Sequence, residues 1–169
     1  MNIVNLIGNY IEFLDIVFDN LVNAKIDVSK YDLDHIAYRA VTLESYQETS
    51  NKLLSYAKIV HQKIIRNRPV DIYLLNESLV YKDREVDYFE VLAPAEGDRF
   101  KEGLEHCEFV LTDIGLHDFA IKYNHLRLNL DSIDREIGSE VGVLFENGAN
   151  VKFKNQTMKQ IIDLEKRLM

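Results

Sequence analysis

Near the N-terminus the apolar residues fall at Ile3, Leu6, Ile7, Tyr10, Phe13, Leu14, Val17, Phe18, Leu21 and Val22. Steps of three and four are the period of an amphipathic helix, so one helix is predicted from Asn2 to about Ala24. Its apolar stripe must be buried, either on the body of the protein or on a second copy of the chain, as in a homodimer. The period then changes. Residues 34–41 alternate as a strand. Thr42 is placed to cap a helix, with Ser45 at the capping-box position, and the helix is predicted to run to about Tyr56. Residues 59–66 and 70–75 read as two strands joined through Asn67-Arg68-Pro69. Residues 85–92 alternate again and close at Ala93-Pro94.

The same order then begins a second time. Residues 106–111 read as a strand and 114–123 as a helix, with Leu116, Phe119 and Ala120 on one side. Residues 126–130 are short and alternating. Residues 141–146 and 150–154 predict a hairpin across Asn147-Gly148, a type I′ turn signature. Residues 156–168 form a closing helix. The two halves share this order, with His35 matched to His106, and almost no sequence identity. The fold class predicted is α+β: a helical segment over 1–30, a first βαβββ module over 31–100, and a second over 101–169 that ends in the C-terminal helix.

Composition narrows the functional classes. The chain has 169 residues, 47% of them hydrophobic and 28% charged, as in a soluble globular protein. A formal net charge of −8 argues against nucleic acid or an anionic membrane as a partner, since both need a basic surface. A single cysteine excludes an internal disulfide framework and a zinc ribbon. It points to a reducing compartment. The N-terminal apolar stretch has no positive flank and is interrupted by Glu12 and Asp15, unlike a signal peptide or a membrane span. The cytoplasm is the expected location.

Strand alternation sorts the remaining polar residues by face. His35, Ala37, Arg39 and Val41 share one face; so do Val86, Tyr88, Glu90 and Leu92; so do His106, Glu108 and Val110; so do Lys152 and Lys154. Each half therefore opens on a strand with a histidine and ends on one with an ionisable residue. Two imidazoles and a carboxylate suit a divalent first-row metal and leave coordination positions open for substrate oxygens. Residues this far apart carry no diagnostic spacing, and the competing reading is of hydrogen-bonded structural histidines.

Several stretches carry a family resemblance: Asp34-His35-Ile36-Ala37-Tyr38-Arg39, Asn67-Arg68-Pro69, the Glu90 strand ending in Ala93-Pro94, Gly103-Leu104-Glu105-His106-Cys107-Glu108, and Val151-Lys152-Phe153-Lys154. In this order they resemble the YecM-like proteins of the vicinal oxygen chelate superfamily, which includes glyoxalase I, bleomycin-resistance proteins and extradiol dioxygenases. The resemblance implies paired βαβββ modules forming a curved mixed sheet around a metal, with His35, Glu90 and His106 as ligands to Zn, Fe, Mn or Ni. It implies a small oxygenated molecule as ligand and a reaction of isomerase, lyase or dioxygenase type. It leaves open a non-catalytic small-molecule binder and a structural protein without metal. YecM-like sequences tend to read Lys-Phe-His near the last strand, so Lys154 stands where a histidine is expected. It can pair with Glu90, point past the site, or act as a base if its pKa is lowered.

The other candidates have two readings each. Arg39 and Arg68 are candidates to bind an anionic part of the substrate; for Arg39 the commoner use is an ion pair across the sheet, and Arg68, at a turn beside Pro69, is more often solvated or braces a strand. Glu108 is expected to move a proton or to hold a ligand N–H, with an ion pair to Arg39 as the alternative. Glu105 is expected at the rim. Cys107 should be a small core residue. His61, His117 and His125 are expected at the surface, and Tyr73, Tyr81 and Tyr88 to pack with wet hydroxyls.

Overall fold

In the computed structural model, which describes residues 3–95, 97 and 101–168, two helices carry the N-terminal apolar stripe rather than one. The first, α1 (Val4–Ile7), stops at Gly8, whose φ of 93° is a conformation that side-chain-bearing residues rarely adopt. The second, α2 (Tyr10–Asn23), starts afresh. Asn9 starts it: its Oδ1 accepts from the Glu12 backbone N–H at 3.3 Å, and its Nδ2 donates to Glu12 Oε2 at 3.4 Å. Gly8-Asn9 followed by Glu12 was the stop-and-start signal within the apolar stripe. Asn2 lies outside the described residues. Ile7, Leu14, Val17 and Leu21 of the stripe are buried, while Val22 at its end is 73% exposed.

The chain forms two compact units, Met1–Leu14 with His35–Glu105, and Asp15–Asp34 with His106–Met169. The first contains β1 (Asp32–Arg39, from His35 onward), α3 (Leu43–Leu53), β2 (Ala57–Ile65), β3 (Arg68–Tyr81) and β4 (Arg84–Leu92). Its strands lie in the order β2-β3-β4-β1. Neighbours are antiparallel except β1, which runs parallel to β4. The capping box expected at Thr42 is present: Ser45 N–H donates to Thr42 Oγ1 at 2.9 Å, and Thr42 N–H to Ser45 Oγ at 3.2 Å. The β2–β3 turn is tighter than expected. Arg66 and Asn67 have φ of 51° and 62°, the paired positive values of a two-residue hairpin turn, so β3 already starts at Arg68. It also continues to Tyr81. Asn76-Glu77-Ser78 looks like a strand end in sequence, but the register only shifts between Leu74 and Leu79, and pairing with β4 resumes beyond it.

The second unit contains β5 (Gly103–Val110, from His106 onward), α4 (Leu116–Lys122), β6 (Leu128–Asn129), β7 (Val141–Leu144), β8 (Asn150–Lys154) and α5 (Met158–Leu168). Its order is β5-β8-β7-β6, again with the first strand parallel to the last. His35 is the fourth of eight residues in β1, and His106 the fourth of eight in β5. The repeat of element order is thus a repeat of topology, and the fold is α+β with two βαβββ modules. The β7–β8 hairpin is present, but its turn is not type I′. Only Gly148 has positive φ, 87°, and its N–H donates to Phe145 O at 3.0 Å. The turn centres on Glu146-Asn147, with glycine following in the conformation that only it adopts readily.

Helix α5 opens on a capping box. Thr157 N–H donates to Gln160 Oε1 at 2.8 Å, and Gln160 N–H to Thr157 Oγ1 at 3.2 Å. The core of the second unit is aromatic. Phe153 stacks on Phe109 with centroids 5.9 Å apart and meets Phe119 at 4.4 Å, while Phe18 of α2 meets Phe109 edge-on at 5.8 Å. Among the described residues no helix is long and apolar enough to cross a membrane. Phe153→Ala should cost about 3–5 kcal/mol, because a fully enclosed ring leaves a cavity its neighbours cannot fill. Thr42→Ala should cost about 1 kcal/mol, the value of one helix cap. Urea unfolding of the two variants tests both, and equal losses would contradict this ordering.

Candidate functional site

In the first unit, β1 and β4 place His35 and Glu90 on one face. The parallel register sets His35 opposite Tyr88 and Ala37 opposite Glu90, and directly paired residues share a face. Glu90 is also paired with Ile72, and Ile72 with His61. The floor beside them is apolar: Ala37, Val70 and Leu92 are buried together, with Ile65 packed against them. His35, at 1% exposure, and Glu90, at 5%, are both removed from water. Arg68, half-buried at the start of β3, is on the same face as Val70 and Ile72. His61 is buried rather than at the surface. Sequence missed it because the register shift between Ile59 and His61 breaks the alternation of β2.

Arg39 closes this strand with an ion pair. Its Nε and Nη2 donate to Glu105 Oε2 and Oε1 at 2.7 and 2.6 Å, the bidentate fork that guanidinium and carboxylate make best. Its side chain is 3% exposed and that of Glu105 11%, so Glu105 is not a rim residue. Its partnership with Arg39 encloses it.

In the second unit, His106 and Glu108 share a face of β5, and Glu108 Oε1 lies 3.4 Å from His106 Nε2. Glu108 pairs with Lys154 at 3.1 Å and Lys152 at 3.5 Å; Lys152 also reaches Glu140 at 3.1 Å. Lys154 has a second carboxylate, Asp34, at 2.8 Å. Asp34 in turn accepts from the Met158 backbone N–H at 3.0 and 3.1 Å. Burial alone would lower the pKa of Lys154. Glu108 and then Asp34 outweigh it and hold the pKa above the ordinary lysine value. The base role raised for Lys154 needs a lowered pKa, and these two carboxylates impose the opposite.

Register also relocates the fourth position. Glu90 is two residues beyond the partner of His35, and in the second unit His106 pairs with Asn150, so the matching residue is Lys152. Lys154 corresponds to Leu92. The sequence motif suggested Lys154 because it aligns a histidine by spacing, whereas strand pairing aligns by partner. Cys107 is fully buried, and burial, with Glu108 adding to it, pushes its thiol pKa up, as befits a core residue. Tyr73 and Tyr81 are buried too; the Tyr73 hydroxyl donates to Ser50 O at 3.3 Å instead of to water. His117 and His125 are exposed, as expected.

Because its folded pKa is raised, the stability that Lys154 contributes is complete below the ordinary lysine pKa. It is lost only as pH rises through the folded value, in the alkaline range. Lys154→Met would leave Asp34 and Glu108 buried without this cation and should cost about 3–5 kcal/mol at pH 7. Losing this cation would raise the pKa of both carboxylates, so protonation would recover part of the loss. The deficit measured by urea unfolding should therefore shrink from pH 7 to pH 5; a constant deficit would contradict the assignment.

A model of the YecM protein family matches residues 2–125. A Haemophilus influenzae protein described as uncharacterised is 29% identical over 86 residues, which cover 51% of this chain and 45% of that one. The chain thus spans about half the length of that relative. Among solved structures, a structural-genomics protein, Protein EC4020, superposes with a TM-score of 0.78 at 17% identity, over 91% of this chain and 87% of that one. A Streptomyces coelicolor methylmalonyl-CoA epimerase variant, solved with 2-nitronate-propionyl-CoA, gives 0.51 at 15% identity, over 72% of this chain and 92% of that one. At such identities these likenesses speak for the fold alone. The family match spans most of the sequence and the module topology agrees with it: the chain belongs to the YecM family.

Proposed function

We propose that this chain is a metal-dependent protein of the vicinal oxygen chelate type that acts on a small oxygenated molecule, with His35, Glu90 and His106 holding one divalent ion. One observation carries the reading: His35 and Glu90 are buried on one face of the first unit, and His106 is buried at the matching fourth position of β5 in the second. The donors fit such an ion. Imidazole nitrogens suit Zn, Fe, Mn or Ni, and a single carboxylate offsets part of the charge. When bound, the ion supplies Lewis acidity toward adjacent substrate oxygens.

The remaining groups position and balance. Glu108 lies 3.4 Å from His106 Nε2 and adds negative charge beside its imidazole, while Lys154, whose pKa its carboxylates raise, offsets that charge. A proton moved during turnover passes through a glutamate rather than Lys154. Arg68 contacts an anionic part of the substrate from the Glu90 face; Arg39, clamped by Glu105, gives the site a rigid wall. An epimerase of this fold has been solved with methylmalonyl-CoA, and another with 2-nitronate-propionyl-CoA, which supports a small molecule bearing adjacent oxygens as the ligand class.

Elemental analysis of protein purified without a histidine tag tests the site. We expect about one equivalent of a first-row metal per chain, lost in His106→Ala and reduced in Glu90→Gln. Equal metal content in native protein and His106→Ala would overturn the proposal.

A further inference from the structure

The opposite face of the first unit holds a second buried carboxylate. Asp71 pairs with Val91 on β4, whereas its neighbour Ile72 pairs with Glu90, so Asp71 points away from the Glu90 face. It is 4% exposed. Ser50 Oγ donates to it at 3.1 Å, Gln62 Nε2 at 2.8 Å and Tyr73 Oη at 3.4 Å. Tyr46 also donates, and its phenol pKa is pushed up by burial and then by this bond. All four donors are neutral. They orient the carboxylate but leave its charge in place. No cation pairs with Asp71 among the described residues, whereas the buried carboxylates of the second unit are matched by lysines. A buried, uncompensated charge is costly to keep.

Asp71 also lines an open pocket of about 280 Å³, between α3 and the β2–β3 hairpin, in which it is the only charged lining residue among the described residues. This is near the lower end of small-molecule pockets, roughly 300–1,000 Å³. Leu54 and Ile59 belong to the lining and are 50% and 38% exposed, so the rim offers apolar surface beside the exposed amides of Gln47, Asn51 and Gln62, while the base is anionic. Along α3 the lining falls at Tyr46 and Ser50, which are buried, and at Gln47 and Asn51, which are exposed.

We propose that this pocket is a second binding site, for a small organic cation such as an alkylamine, whose ammonium would pair with Asp71 while its chain lies against Leu54 and Ile59. The opening, the missing counter-charge and the two apolar side chains at the rim agree on that chemistry; an anion would be repelled, and a neutral ligand would leave the charge uncompensated.

Protein-observed NMR titration of the full chain at pH 7 with n-pentylamine, and separately with its neutral counterpart n-pentanol, tests it. The amine should shift resonances of α3 and the β2–β3 hairpin and bind about tenfold or more tightly than the alcohol, the effect of one partly desolvated charge pair. Asp71→Asn should reduce the amine to the level of the alcohol. Leu54→Trp, at an exposed position, should obstruct the mouth and weaken both with the fold intact by circular dichroism. Equal binding of amine and alcohol by the wild type, no shift with the amine, or an amine preference retained in Asp71→Asn would overturn the proposal and leave the cluster as a brace for the hairpin. Should Asp71→Asn fail to fold, the wild-type comparison and Leu54→Trp still decide.

Discussion

An ammonium group with almost no access to water sits between Asp34 and Glu108, and much of the second unit is arranged to permit it. Taking three charges out of water is expensive, and the attraction among them offsets that cost only when the geometry is good and the remaining lone pairs are satisfied. Here they are used fully. Asp34 also accepts the first backbone N–H of α5, so one carboxylate fixes the end of β8, the start of the last helix and the strand segment that leads to His35. Register depends on it too. On β8, Lys152 and Lys154 alternate with Val151 and Phe153, so a slip of one residue would drive ammonium groups into the Phe109 and Phe119 cluster. The pairing therefore specifies the strand as much as it stabilises it.

The residue before each candidate histidine is a carboxylate held by a buried cation: Asp34 by Lys154, and Glu105 by Arg39. By alternation each acid lies on the opposite face of its strand from the histidine beside it, and each holds its strand through the ion pair. Such an anchor limits how far an imidazole on the same strand can move, which a coordination site requires. The modules keep this device while differing in charge at matched positions, Glu90 in the first and Lys152 in the second. A lysine there removes one potential ligand and reaches Glu108 instead, whose other oxygen Lys154 holds.

The first unit uses the two faces of its strands differently. Along β3, Val70 and Ile72 belong to the face with Glu90, while Asp71 and Tyr73 turn toward α3. The first face joins its ionisable groups to an apolar floor. The second gathers neutral hydroxyls and an amide around one carboxylate. Both depart from the apolar filling expected of a sheet buried on two sides, and such departures are where a fold gives up stability for chemistry.

Periodicity determined most of the elements, because a face that must avoid water imposes its spacing on the chain whatever lies opposite. The Thr42 cap, the α5 boundary, the repeated βαβββ order and the burial of Cys107 were all legible for that reason. Capping and turn chemistry were legible only in part. Gly8-Asn9 was hidden by an apolar stripe that continues across it, and the turn at Asn147-Gly148 took another form because its flanking residues pair one step further out. Side-chain partnerships were not legible at all. Nothing local in the sequence says that Lys154 meets Asp34 and Glu108, that Arg39 meets Glu105, or that Lys152 rather than Lys154 matches Glu90. Those contacts join residues distant along the chain, and only strand register brings them together. The sequence by itself determined which side chains share a face; the tertiary structure decided which charges neutralise one another, and thereby that Lys154 stays a cation.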